Sequence, residues 1–125
     1  MATTKYIAGK CNIGSTEIKR KRNETMVSLA LTILTIIILF NSETERIWRL
    51  VAFIPSTFFG IYIQQWFLKF NIWLGVKGVC NFGEQGRREE ISSDEDKKKD
   101  FVKAWQLYYS AFFLGMGVTS LIYYW

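Results

Sequence analysis

The sequence predicts an all-α membrane protein with three transmembrane helices, its N-terminus in the cytoplasm and its C-terminus outside. Hydrophobic residues make up 50% of the 125-residue chain, yet the charged residues are concentrated in two blocks. Three long stretches therefore lack charge near their centres. A helix needs about 20 such residues to cross roughly 30 Å of hydrocarbon. Helix is expected over strand because an unpaired strand in lipid leaves its backbone groups unsatisfied.

The chain divides in this prediction into alternating polar and apolar segments. Residues 1–24 form a basic cytoplasmic arm, 25–42 the first transmembrane helix, 43–46 a short outer turn, 47–69 the second transmembrane helix, 70–102 a charged cytoplasmic connection, and 103–125 the third transmembrane helix. Pro55 predicts a kink in the second span, because a proline removes one helical hydrogen bond.

Caps are predicted on the cytoplasmic side for the first and third helices. Gly14 or Ser15 precedes Glu17, and Ser92 or Ser93 precedes an acidic first turn. Small polar residues before acidic ones are typical of helix N-termini. Both helices are therefore expected to begin in water, before their apolar stretches.

Lysine and arginine flank the predicted spans asymmetrically. They are concentrated in the N-terminal arm (Lys5, Lys10, Lys19, Arg20, Lys21, Arg22) and in the second connection (Lys69, Lys77, Arg87, Arg88, Lys97, Lys98, Lys99, Lys103). Positive flanks resist translocation, so both segments are placed in the cytoplasm. The net charge of +5 is interpreted as a topology signal and a contact with anionic lipid headgroups, rather than as nucleic-acid binding.

Each predicted span carries small or polar residues along one face. These rows are Ser28, Thr32 and Thr35; Ala52, Ser56, Gly60 and Gln64; and Ala111, Gly115 and Thr119. Lipid offers no hydrophobic drive for helices to associate, so close approach depends on such rows. Ordinary bundle packing is expected over a polar pathway for a solute, since no charged residue lies near the centre of a span.

Both cysteines lie in a repeated motif that comprises Cys11, Asn12 and Gly14 in its first copy and Cys80, Asn81 and Gly83 in its second. Two equivalent turns packed against each other under the bundle would explain the repeat. Three interpretations remain open: loop anchors, in which the cysteine is a small hydrophobe; a thiol pair for redox, sulfur or shared-metal chemistry; and acylation or partner contact at the membrane surface.

No enzyme and no cofactor is predicted. The chain has no histidine to act as a base, and two cysteines fill only half of a tetrahedral zinc site. The carboxylates from Glu84 to Asp100 lie in a charged run and are expected to form a solvated face.

The sequence resembles a known group of proteins. Cys11-Asn12-Ile13-Gly14, Glu17 with the basic cluster, Trp48-Arg49-Leu50 and Asn81-Phe82-Gly83 look like a group of small uncharacterised bacterial inner-membrane proteins with this opening. Asn12 and Gly14, followed by Glu17 and Arg20, are also similar to the membrane segment that accompanies some rhodanese-type sulfurtransferases. The first resemblance implies a multi-pass protein of the bacterial inner membrane, and the second makes sulfur transfer a minor hypothesis.

The expected function is a non-catalytic accessory or scaffolding subunit of a larger bacterial inner-membrane complex. Its partners would be membrane lipids, other integral subunits or copies of itself. The alternative is a cytoplasm-facing thiol module that uses Cys11 and Cys80. Aromatic residues are the candidate partner contacts, although lipid contact is an equally good interpretation for each: Trp48, Trp66, Trp73, Trp105 and Tyr108.

Overall fold

The protein is mostly helical and all-α in a computed structural model that describes residues 6–83 and 88–125. The first five residues of the predicted arm, with Lys5, and the part of the predicted connection with Arg87 lie outside the described residues. The elements in chain order are α1 (Ser15–Asn41), a 3₁₀ helix (Arg46–Ala52), α2 (Phe53–Leu68), α3 (Ile72–Lys77), β1 (Val79–Cys80), β2 (Glu89–Glu90) and α4 (Asp94–Tyr124).

Helix α1 begins well before the apolar stretch predicted to start at residue 25. Gly14 is its N-cap, and Glu17 lies in the first turn, where a negative charge favours the helix dipole. Arg20 Nε lies 3.0 Å from Glu24 Oε1 at a spacing of four residues, which supports the exposed first turns. The polar arm and the apolar stretch therefore form one continuous helix.

The second predicted span consists of two kinds of helix. It begins as the 3₁₀ helix and changes to α-helix at Phe53, two residues before Pro55. Pro55 has no N–H to donate to the carbonyl of Val51, so the α-helical pattern cannot extend unbroken through this position. Where the sequence predicts a kink at Pro55, the structure shows a change of helix type two residues before it. Lys69, with φ of 54°, ends α2 in the left-handed region.

The connection between α2 and α4 contains α3 and a short antiparallel pair of strands. Asn71 caps α3, because its side chain accepts hydrogen bonds from the N–H groups of Trp73 and Leu74. Val79 pairs with Glu90, and Cys80 with Glu89. Ser93 caps α4, and its Oγ accepts from Asp96 N at 3.3 Å. Of the two predicted caps, Ser92 and Ser93, the structure therefore shows Ser93.

Helix α2 lies between α1 and α4 and packs against both, while α3 packs on α4. A Cβ built on Gly60 would lie 3.3 Å from Ala111 Cα, so α2 and α4 approach at backbone distance. At Gly115 of α4 the added Cβ would overlap Thr57 Oγ1. Small residues thus set the contact between these helices.

Two helical segments are long and apolar enough to cross a membrane, α1 and Arg46–Leu68. Only 17% of the most apolar window in each is buried, whereas the core helix of a soluble protein would be mostly buried. Helix α4 has 31 residues, but polar and aromatic residues such as Gln106 and Tyr108 lower its mean hydropathy. Within the described parts of the chain, two helical segments rather than the predicted three have both the length and the hydropathy of a membrane span.

Candidate functional site

The two copies of the cysteine motif lie side by side. Ile13 and Asn81 form a parallel bridge, in which Asn81 N donates to Asn12 O at 2.9 Å and Gly14 N donates to Asn81 O at 2.8 Å. A Cβ added to Gly14 would lie 2.9 Å from both Cα and O of Phe82. Glycine at this position is therefore required by the close approach of the second turn. We call this pair of turns the motif junction.

Asn12 connects the motif junction to the end of α2. Its Oδ1 accepts from Asn71 N at 2.6 Å, and its Nδ2 donates to Asn71 O at 3.0 Å. Its own backbone N–H donates to Lys69 O at 3.2 Å. Asn12 has no exposed surface, so the N–H of Asn71 would lose its partner without gaining water if the Asn12 side chain were shortened.

Asn81 connects the same junction to α1. Its Nδ2 donates to Glu17 Oε1 at 3.5 Å, and its Oδ1 accepts from Gly83 N at 3.1 Å. Glu17 is only 3% exposed although it carries a carboxylate. The asparagine of each motif copy therefore performs a similar task, since each bonds a chain segment that is remote in sequence.

The thiols of Cys11 and Cys80 are both buried and free. Cys11 Sγ lies 3.6 Å from the carbonyl oxygen of Ile13. Burial raises the pKa of both thiols, and nearby Glu89 raises the pKa of Cys80 further. A raised pKa keeps a thiol protonated and therefore weakly nucleophilic at neutral pH.

No group of three or more histidine, cysteine, aspartate or glutamate side chains that could hold a metal ion occurs within residues 6–83 and 88–125. The chain has no histidine at all.

The carboxylate of Asp100, near the N-terminal end of α4, is a second buried polar group. Its Oδ2 accepts from Tyr6 Oη at 2.7 Å and its Oδ1 accepts from Gly9 N at 2.7 Å. Burial raises the pKa of the Asp100 carboxyl, whereas these two donors lower it. Burial of the Tyr6 hydroxyl and its hydrogen bond to the Asp100 carboxylate raise the pKa of Tyr6. This contact holds the N-terminal arm against α4.

The prediction of a solvated acidic face was wrong for Asp100, which has no exposed surface. A signal for its burial exists in the sequence. Asp100 precedes Ala104, Leu107 and Ala111 at helical spacing, so it lies on the face of α4 that packs inward. The spacing is difficult to recognise in the sequence because charged residues, such as Lys99 and Lys103, lie on both sides of Asp100.

The residues predicted to pack between helices lie mainly on inner faces. Ser28 and Thr32 of α1 are buried, whereas Thr35 is half-buried. The remaining buried members are Ala52, Ser56, Gly60, Ala111, Gly115 and Thr119. Gln64 joins two helices, because its Nε2 donates to Leu107 O of α4 at 3.1 Å and to Gly60 O at 3.0 Å.

The aromatic residues predicted as partner contacts are spread over the surface. Trp48, Trp73, Trp105 and Tyr108 are exposed, and Trp66 is half-buried. Trp105 and Tyr108 contact each other, with ring centroids 5.7 Å apart. Lys77 Nζ lies 4.7 Å from the centroid of the Trp73 ring. Among these five residues, Trp105 and Tyr108 are thus shown to lie together.

Comparisons of this chain with protein-family models, with curated proteins and with solved structures find no match.

Proposed function

We propose that this chain is a three-span protein of the bacterial inner membrane that acts as a non-catalytic accessory or scaffolding subunit of a larger complex. The observation that carries the proposal is the distribution of side chains around the helices. Small and polar side chains face inward, and large apolar side chains face outward. In water this arrangement would expose extensive apolar surface, which a soluble monomer rarely tolerates.

The same distribution supports a membrane position for α4. Its buried face carries Ala111, Gly115 and Thr119, while Phe113 is 65% and Leu121 74% exposed. Tyrosine and tryptophan lower its hydropathy, but both are favoured where a helix meets the membrane interface. The proposal therefore counts α4 as the third span.

The charge distribution supports a cytoplasmic position for the N-terminus. The start of α1, the end of α2 and the start of α4 all lie at the end of the bundle that holds the motif junction. Most lysines and arginines belong to these segments, and such flanks resist translocation. An odd number of spans then places the C-terminus of α4 outside.

A scaffolding role has more support than the thiol-module alternative. The buried cysteines have raised pKa values, whereas a reactive thiol needs a lowered pKa and access. The asparagines beside them bond Asn71 and Glu17. The repeated motif therefore fits an anchor that holds chain segments together.

The proposal is tested by gentle detergent extraction of the tagged protein from its native membrane, followed by native mass analysis. We expect a stoichiometric integral membrane partner to be recovered with the chain. Recovery of the chain alone, or only as copies of itself, would count against the subunit role.

The thiol alternative is tested with Cys11→Ser and Cys80→Ser in the same extraction. We expect both variants to insert and to retain the partner. Loss of function with intact insertion and assembly would instead favour thiol chemistry.

A further inference from the structure

Two adjoining recesses lie between α1 and α2 near the motif junction. The first, here called the polar cavity, has a volume of about 430 Å³ and is lined by charged and amide side chains of α1, α2 and the connection, together with apolar residues such as Ile61 and Leu74. The second, here called the apolar groove, has a volume of about 710 Å³ and continues along Val27, Leu31 and Ile54. Arg20, Phe58 and Tyr62 line both. Polarity therefore changes along one recess, at the point where α1 passes from charged to apolar residues.

Cations predominate at the junction of the two recesses. Arg20, Lys21 and Arg88 line the polar cavity together with one carboxylate, Glu17. Glu24 lines the groove and lies 3.0 Å from both Arg20 Nε and Lys21 Nζ. Three positive and two negative side chains among the described residues thus leave a net charge of +1.

The cations differ in how far the protein already uses them. Lys21 is 7% exposed, pairs with Glu24 and lies 5.6 Å from the centroid of the Tyr62 ring. Arg88 is exposed, and no carboxylate in the described residues lies within ion-pair distance of it. Arg20 is about half exposed, and it pairs with Glu24 at 3.0 Å and more loosely with Glu17 at 3.9 Å. Arg20 and Arg88 can therefore still meet an anion.

The walls of the polar cavity are held in place by bonds within the protein. Asn81 Nδ2 donates to Glu17 Oε1 at 3.5 Å, and Gln65 Oε1 accepts from Ile72 N at 2.8 Å. These bonds join α1, α2 and the connection, and two of these segments, α1 and the connection, supply the cations. A recess whose walls are already ordered loses less entropy when it binds a ligand.

We propose that the polar cavity and the apolar groove together bind one anionic phospholipid. Its phosphate lies against Arg20 and Arg88, and one acyl chain lies along Val27, Leu31 and Ile54. A phospholipid joins an anionic head to an apolar chain, and the recess shows the same change of polarity. Guanidinium groups suit phosphate because they form paired, charge-assisted hydrogen bonds. Such a lipid would bridge α1 and the connection. The inference rests on the proposed membrane position of α1 and α2.

The test is a competition between two lipids with identical acyl chains, phosphatidylglycerol and phosphatidylcholine. The full-length protein in detergent is mixed with equal amounts of both, and bound lipids are counted by native mass spectrometry. We expect phosphatidylglycerol to be preferred, and Arg20→Gln and Arg88→Gln each to lower the preference about fivefold, the effect of one cation near an anionic headgroup. Equal binding of both lipids by the unaltered protein would overturn the proposal.

Lys19→Gln is the matched control, because Lys19 is an exposed cation of α1 that lines neither recess. We expect this variant to keep the preference, and Arg20→Lys to keep most of it. An equal loss in Lys19→Gln and Arg20→Gln would contradict a specific site, since it would indicate only general attraction to charge. Leu31→Trp, which fills the groove, is expected to lower the binding of both lipids.

Flotation of the same preparation with phosphatidylcholine vesicles separates this inference from the proposed function. A chain that resists alkaline extraction from the vesicles but shows no headgroup preference refutes only the lipid site. A chain that is released by alkaline extraction refutes the membrane position, and the lipid site with it.

Discussion

At the scale of single residues, buried polar side chains connect segments that are far apart in the sequence. Asn12 bonds both the N–H and the carbonyl of Asn71, and Asp100 receives Tyr6 and Gly9. Each of these side chains is fully buried. A buried polar group contributes to stability only when it is paired, so these contacts define a single arrangement of the arm and the connection.

Asn12→Ala is expected to destabilise the protein by about 1–3 kcal/mol, because it leaves the buried N–H of Asn71 without a partner and removes one of the two donors to the Asn71 carbonyl, which keeps Gly75 N. Thermal unfolding in detergent measures the effect. Asn41→Ala is the control, since Asn41 is exposed and bonds only Ile37 O of its own helix. Equal melting temperatures for the two variants would contradict the role assigned to Asn12.

Asp100→Asn is expected to change how stability depends on pH. The folded pKa of Asp100 is raised, chiefly by burial, so between the ordinary carboxyl pKa of about 3.9 and the raised value the folded state holds a proton that the unfolded state releases. Its contribution to stability is therefore present at low pH and is lost as pH rises through the folded pKa.

Unfolding between pH 4 and pH 7 measures this dependence. We expect the loss of stability with rising pH to be smaller in Asp100→Asn. Asp94→Asn, an exposed position in the first turn of the same helix, is the control and should leave the dependence unchanged. Identical pH profiles for the unaltered protein and Asp100→Asn would refute the argument.

At the scale of helices, the small residues determine how closely α2 and α4 approach. Gly60 faces Ala111, and Gly115 faces Thr57. The outward faces of the same helices carry Phe58 and Phe113, both exposed. Association in lipid depends on close packing. A bulky residue on the inner face should therefore separate the helices, whereas one on the outer face should be tolerated.

Gly115→Leu is expected to destabilise the bundle by about 1–3 kcal/mol or more, because its Cβ would overlap Thr57 Oγ1. Gly117→Leu is a matched control two residues along α4, where a Cβ would meet no atom within 4 Å. Thermal unfolding and size-exclusion profiles in detergent compare the two. Similar behaviour of both variants would show that α4 does not pack on α2 through Gly115.

At the scale of the whole molecule, the motif junction ties the arm, the end of α2 and the connection into one unit at one end of the bundle. Two helical segments have the length and composition of membrane spans. Whether α4 crosses as well decides on which side the C-terminus lies. The proposed third span therefore requires the C-terminus to lie outside the cytoplasm.

Reporter fusions measure that consequence. We expect alkaline phosphatase fused after Trp125 to be active, since this reporter folds only outside the cytoplasm, and green fluorescent protein at the same position to be dark. Green fluorescent protein fused before Met1 is the control and should fluoresce. A fluorescent C-terminal fusion with inactive phosphatase would reduce the number of spans to two.

Several local features were predictable because they depend on neighbouring residues alone. The cap at Gly14 and that at Ser93 follow from small or polar residues before an acidic first turn. The burial of Asp100 was not predictable in the same way, because charged neighbours on both sides favour an exposed interpretation. Its partners, Tyr6 and Gly9, come from the other end of the chain.

The sequence by itself predicted an all-α chain with three spans. The all-α fold is confirmed and two helices have spanning length and hydropathy, because helix formation and hydrophobic length are properties of consecutive residues. Only the tertiary structure decided which backbone groups join the two cysteine motifs, which donors Asp100 receives, and that a polar cavity opens beside an apolar groove. The partners of Asn12 and Asp100 lie more than 50 positions away in the chain, and Asn12 and Asn71 are 59 positions apart. Residue spacing carries no direct record of such contacts.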